Sequence, residues 1–376
     1  MNTENSGNLQ KTIAVIIIAA IALFFILATV VQGFGTTDAP IPDSESQKDP
    51  PSGDGSNTPS DNESNQPEDD GSDTEQTSRP DEIKYKSYLT GLEISDESHP
   101  YQRLVYICDA ESNLYGAVGA EIIIEIPCNS GQTRYAVYVP CNENLGKIGA
   151  VAPTKSYISD TCSLFGGIIC AFGADDSVDY APNDPTIHLD LSLEQSYYYR
   201  ENISSVYTRS DLINQFIKEE KLKLLMENTP TAPFVFSDEA VLGKASAKSI
   251  LIPYSSDNTT AFIYDEETGR YSFIKNSKKQ YDMLGGDELG FDNLFVLFSD
   301  SITYEMSDGA ETVMQTDSTG MGYYINKGKL TEFKWECDDS GELRFLSLNG
   351  EQLAINPGNS YIAYYKSSCI NAVTFE

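Results

Sequence analysis

"TGMGYYINKGKLTEFKW", Thr319 to Trp335, is the stretch on which the reading of this chain turns. Its glycines 320, 322 and 328 lie beside a threonine hydroxyl and several lysines. A loop that grips phosphate sets its glycines between a strand and a helix. Backbone N–H groups and the helix N-terminus then converge on the anion. Here Gly322 runs straight into the apolar "YYI", and Lys327 and Gly328 form the next break. Beyond it Thr331, Phe333 and Trp335 alternate with Leu330, Glu332 and Lys334, the two-residue period of a strand. The stretch is therefore expected to be a β-hairpin. Gly320 and Gly322 open it, Gly328 sits in its turn, and Trp335 anchors one face.

The same texture extends from Lys248 to the C-terminus. Short runs such as "SILIPY", "TAFIYD", "RYSFIK", "NLFVLFSD" and "YIAYY" are separated by "DEETG", "NKG", "DDSG" and "NPGN". Short strands between regular turn signals argue an all-β meander or barrel-like sheet. Upstream the texture is mixed. "RLVYICD", "AEIIIEIPC" and "RYAVYVP" read as strands, the last two paired about Gly131. "APTKSYISDTCSLFGG" reads as a short helix opened by Pro153 and Thr154 and closed by Gly166 and Gly167. The spacing of Leu212, Ile213, Phe216, Ile217, Leu224 and Leu225 predicts a helix over 210–226, with Thr208 and Asp211 as its capping box. Pro230 and Pro233 in "NTPTAPF" mark a boundary. The expected fold class is α+β: a mixed α/β-sheet domain over 85–230, then an all-β domain over 231–376.

Ahead of these lies a different kind of chain. Ile13 to Val31 reads "IAVIIIAAIALFFILATVV", without a charge. At ~1.5 Å per residue it reaches roughly 28 Å, the thickness of a bilayer's hydrocarbon core. A cleaved signal peptide has a shorter apolar core, so an uncleaved single-pass anchor is expected. Lys11 precedes it and the next basic residue is Lys48. The positive-inside rule then puts residues 1–12 in the cytoplasm and the rest outside the cell membrane. Residues 32–84 form a linker; between 37 and 80 it carries 12 acidic and two basic side chains. With so few apolar residues it is expected to be a disordered, self-repelling tether. The whole chain carries a formal charge of −32. That repels nucleic acid and anionic surfaces, and favours cations or basic partners.

Particular residues suggest a family. "IPYSSDNTTAFIYDEETGRY", "GMGYYINKGKLTEFKW" and "NGEQLAINPGNSYI" resemble the C-terminal domain of the YerB-like bacterial lipoproteins, a family of extracytoplasmic proteins of unknown function. The N-terminal part is similar to that family's other domain in "LTGLEI", "AEIIIEIPCNSGQTRYAVYV" and "KIGAVAPTKSYISD". There it diverges. Ala150, Ala152 and Lys155 stand where the pattern has proline and two arginines, Cys170 replaces a histidine, and Ser204 and Ser205 replace histidine and asparagine. The lipobox cysteine is missing; the apolar segment takes its place. The resemblance leaves Glu125, Thr133, Arg134 and Lys155 as candidate ligand-binding residues.

The residues themselves offer few other sites. Glu125 and Arg134, on adjacent strands, suit a cross-strand ion pair. Asp175, Asp176 and Asp179 in "GADDSVDYAPNDP" form an oxygen-rich loop of the kind that can hold a cation, though without EF-hand spacing. His99 and His188 have no nucleophile motif beside them. "SYYYRE" gathers Tyr197, Tyr198 and Tyr199, suited either to a strand or to a sugar or peptide surface. Seven cysteines at unpaired spacings read mainly as small buried residues, with room for a disulfide or two. No cofactor motif is present and no catalytic residue is assigned. The expected role is binding or scaffolding in the cell envelope, with an envelope protein, a basic peptide or a cell-wall ligand as partner. The alternatives are a cell-wall hydrolase working through paired carboxylates among Glu125, Asp175, Asp176 and Asp179, and a cation- or peptide-sensing module.

Overall fold

A computed structural model describes residues 85–95, 101–128, 131–141, 143–174, 187–226, 230–239, 243–306, 309–338 and 341–376. The expected anchor, the acidic linker, His99 and the loop with Asp175, Asp176 and Asp179 lie outside the described residues. No described helix is long and apolar enough to cross a membrane.

The fold is β-rich with few helices. Its main strands are β1 (Arg103–Asp109), β2 (Ile122–Pro127), β3 (Thr133–Pro140), β4 (Ile168–Ala171), β5 (Ile187–Asp190), β6 (Ser249–Pro253), β7 (Thr259–Asp265), β8 (Arg270–Lys275), β9 (Asn293–Ser299), β10 (Thr319–Asn326), β11 (Lys329–Cys337), β12 (Leu343–Ser347) and β13 (Ser360–Lys366). Two helices, α1 (Ser156–Ser163) and α2 (Ser210–Glu219), accompany them. One eleven-stranded sheet runs Ala245–Ser246, β11, β10, β9, β13, β2, β3, β1, β4, β5, with β12 also on β11. Strands from both sides of Pro230 thus hydrogen-bond into one sheet. The junction is β13, which pairs parallel with β9 and with β2. A six-stranded sheet built on β6, β7 and β8 forms the second layer.

Alternation along the central strands explains their composition. Tyr135, Val137 and Val139 of β3 point into one core, with Leu294, Val296, Tyr361 and Ala363. Ile250, Phe262 and Phe273 of the second sheet meet them there. Ala136 and Tyr138 point the other way, into a core shared with Tyr157 and Ile158 of α1, Phe295, Trp335 and Tyr364. A strand covered on both faces needs apolar residues at successive positions, hence "IIIEIP" and "NLFVLFS". Each fully buried Ile, Leu or Phe contributes roughly 1.5–3 kcal/mol.

The quoted hairpin forms, with one revision. Its turn is Lys327–Gly328, both at positive φ (48° and 71°), the two-residue turn that matches strand twist. Gly320 and Gly322 do not open the hairpin: they lie inside β10, opposite Trp335 and Phe333. A Cβ on Gly322 would sit 2.6 Å from the Phe333 ring, so these glycines make room for the aromatic side chains that cover them.

α2 also differs from expectation. It stops at Glu219, because Lys221 takes a left-handed conformation (φ 55°) and Leu222 N–H returns to the Ile217 carbonyl. Leu224 and Leu225 continue the apolar spacing outside the helix. No capping box forms. Arg209 is the N-cap, Asp211 pairs with Arg209 at 2.6 Å, and the Thr208 hydroxyl donates to the Tyr197 carbonyl.

No disulfide is shown among the described cysteines. Cys108, Cys128, Cys162 and Cys170 are buried, Cys369 is exposed. Burial pushes the Cys141 thiol up to about 12 and those of Cys108 and Cys170 further. Thiolate is the reactive form. At pH 8 a maleimide is therefore expected to modify Cys369 first in the native protein, and Cys108 and Cys170 only on unfolding. Fewer than seven titratable thiols after unfolding without reductant would contradict this arrangement.

Candidate functional site

Glu125 interrupts a run of isoleucines in β2. Strand alternation turns it, with Ile123, toward the second sheet, where it is fully buried. Its Oε1 accepts the Thr133 hydroxyl at 2.6 Å and the Lys275 ammonium at 2.5 Å. Its Oε2 accepts the Thr260 hydroxyl at 2.7 Å and the Tyr361 hydroxyl at 2.5 Å. Lys275 also donates to Thr260 at 3.1 Å, and the Asn258 amide donates to the Gly131 carbonyl at 2.8 Å. Burial, with the Glu125 charge beside it, pushes the Tyr361 hydroxyl's pKa well up, so it stays a donor. Four donors occupy the two carboxylate oxygens, one from each of β3, β7, β8 and β13.

The four candidate ligand-binding residues are divided. Thr133 stands with Glu125. Arg134, one residue on, takes the opposite face of β3. Its Nε lies 3.2 Å from Asp109 Oδ1, so the expected Glu125–Arg134 pair does not form. The physical reason is register: Glu125 lies opposite Tyr135, and Arg134 opposite Ile126. Lys155 precedes α1 and pairs at 2.7 Å with Glu311 of the hairpin Ser301–Met314; both side chains are buried. Lys275, Thr260 and Tyr361 were not anticipated. A lysine closing the strand "RYSFIK" looks like a solvated strand end.

A hydrolase built on Glu125 would need it to face a second carboxyl group across bound water or substrate. Instead its lone pairs are taken by internal donors. Asp282 is used likewise, accepting backbone N–H groups of Ala117 (2.6 Å), Val118 (2.7 Å) and Leu284 (2.8 Å). Glu121 is held by Arg103, whose Nη2 lies 3.1 Å from Oε1, and by the Ser87 hydroxyl at 2.6 Å. Arg103 also lines a cavity of about 250 Å³, with Tyr88, Gln102, Lys223, Leu225 and Pro230. That is slightly smaller than most ligand pockets. Among the described residues no cluster of three or more His, Cys, Asp or Glu side chains could hold a metal ion.

Two comparisons bear on this architecture. Residues 250–362 match the family described as "Protein of unknown function (DUF3048) C-terminal domain", and the fold is YerB-like. In particular, it resembles the YerB protein from Bacillus subtilis, known from a crystal structure. The likeness has 18% identity and a TM-score of 0.67, and covers 78% of this chain and 100% of that one, so the two share a fold. No curated protein matches the chain.

Proposed function

We propose that the chain is a non-catalytic binding or scaffolding module of the cell envelope. In this reading residues 13–31 anchor it in the cell membrane, residues 1–12 face the cytoplasm, and the acidic segment 32–84 carries the folded part outside. Its partner is an envelope protein, a basic peptide or a cell-wall ligand. The observation that carries the reading is how the interior carboxylates are used. Glu121, Glu125 and Glu311 each meet a buried cation of the chain itself, and Asp282 meets backbone N–H groups. Polar chemistry spent in this way holds layers together and makes a rigid platform. The acidic exterior favours basic partners over anionic ones.

Deleting residues 13–31 is expected to shift the protein from the membrane pellet to the supernatant of fractionated cells. Crosslinking on intact cells with a membrane-impermeant reagent is expected to capture envelope components on the full chain. A full-length chain already in the supernatant, or one that only cytoplasmic proteins co-purify with, would overturn the reading.

A further inference from the structure

Lys147 has an unusual setting. Its Nζ lies 3.8 Å from the centroid of the Tyr115 ring and 3.9 Å from that of Tyr207. The two rings stand nearly perpendicular, with an interplanar angle of 84° and centroids 5.6 Å apart. Tyr199 extends the wall beside Tyr207, at 5.9 Å between centroids. On the open side Glu201 Oε1 accepts from the ammonium at 2.7 Å. The Lys147 side chain is 14% exposed and that of Glu201 51%.

The local sequence builds this arrangement. Strands Ile148–Gly149, Val206–Thr208 and Tyr199–Arg200 form a small antiparallel sheet. Within it Tyr207 lies opposite both Gly149 and Tyr199, and Tyr115 bridges to the other edge of Gly149. The cross-strand row is therefore Tyr115, Gly149, Tyr207, Tyr199, all on one face. Gly149 leaves the gap in that row; a Cβ there would sit 3.2 Å from Tyr207 Cδ1. Lys147 and Glu201 stand two residues from Gly149 and Tyr199, the spacing that returns a side chain to the same face. Burial works against the ammonium charge, but the hydrogen bond to Glu201 and the fields of Tyr115 and Tyr207 raise its pKa overall. The cage thus holds a cation.

Perpendicular aromatic walls with a carboxylate at the mouth are the chemistry that recognises alkylammonium groups. We propose that Tyr115, Tyr199, Tyr207 and Glu201 form a binding cage for a small quaternary ammonium ligand, with Lys147 as its exchangeable internal occupant. A quaternary ammonium group suits the site because it has no N–H groups to desolvate. Glu201, at the mouth, is half exposed, so the cage opens to solvent on the side where the ammonium is held. The proposal rests on the binding reading above and gives it a ligand class.

Equilibrium dialysis of the full chain against labelled choline tests it. Removing the occupant with Lys147→Ala is expected to tighten choline binding at least ~10-fold over the wild type, ~1.4 kcal/mol. Lys147→Met refills the cage with a neutral chain of similar length and is expected to bind no better than wild type. Glu201→Gln, at an exposed position, is expected to weaken the gain of Lys147→Ala several-fold. If Lys147→Ala binds no tighter than wild type, or Lys147→Met binds as tightly as Lys147→Ala, the cage is a structural contact only. Dialysis on purified protein is independent of where the chain resides, so this failure would leave the envelope reading standing.

Discussion

Replacing Lys275 with methionine is expected to cost about 3–5 kcal/mol of unfolding free energy, because it strands the Glu125 carboxylate in a dry interior. Methionine retains the length and apolar stem of lysine but not its charge. Thr133, Thr260 and Tyr361 would still donate to Glu125. Hydroxyl donors soften the penalty of a buried charge without removing it. The partner experiment is Glu125→Gln in the same background. Removing both charges is expected to restore much of the loss, so the double-mutant cycle should report a large favourable coupling. Denaturant unfolding followed by circular dichroism measures all four species. A loss under about 1 kcal/mol for Lys275→Met, the size of an exposed pair, would mean that the charge is not locked in as described. Because Glu125 and Thr133 precede Pro230 while Lys275, Thr260 and Tyr361 follow it, and because they come from both sheets, the two layers are expected to lose stability in one transition.

Trp335→Ala is expected to be comparably damaging, about 3–5 kcal/mol. The indole is 1% exposed. Its Nε1–H is shared between the Phe298 and Met321 carbonyls at 3.2 Å each. Its ring covers Gly320 on the neighbouring strand. The reciprocal change, Gly320→Ala, places a methyl group against both that indole and the Phe298 carbonyl oxygen. Overpacking of this kind is expected to cost about 1–3 kcal/mol. Trp335 is the one tryptophan of the chain, so unfolding of its variant must be followed by circular dichroism rather than by fluorescence. A Gly320→Ala variant as stable as the wild type would show that β10 and β11 are further apart than described.

How much of this was legible beforehand depended on the range of the interaction. β6, β7, β8 and β10 to β12 could be read locally, since turn residues such as Lys327–Gly328 set their register. α1 was legible as an element, though it starts at Ser156 behind Lys155 rather than at Pro153 and Thr154, and its C-cap is Leu164, two residues before Gly166. The end of α2 was not: Leu224 keeps the helical spacing, and nothing nearby signals that Lys221 will adopt positive φ. The parallel pairing of β13 with β2 joins Ile122 to Ser360. Parallel neighbours share no turn, so no local signal records their register. The site followed the same rule. Thr133 was named with Glu125 only through the family resemblance of the stretch that carries both, and one hairpin does bring them together. Lys275, Thr260 and Tyr361 come from distant strands and were invisible. The tyrosine cage draws on stretches around 115, 149, 199 and 207, and only "SYYYRE" drew attention in advance.

The position of β13 has a consequence for how the molecule is made. This late strand lies between β9 and β2, so until it arrives each half of the large sheet has an open edge. A chain emerging from a ribosome cannot close its main sheet while residues 360–366 are still being synthesised. Its N-terminal strands must wait unpaired along that edge. Closure of the large sheet is therefore expected to follow, not precede, the arrival of β13, and until then the open edges of β9 and β2 can be reached by any factor that binds unpaired strands.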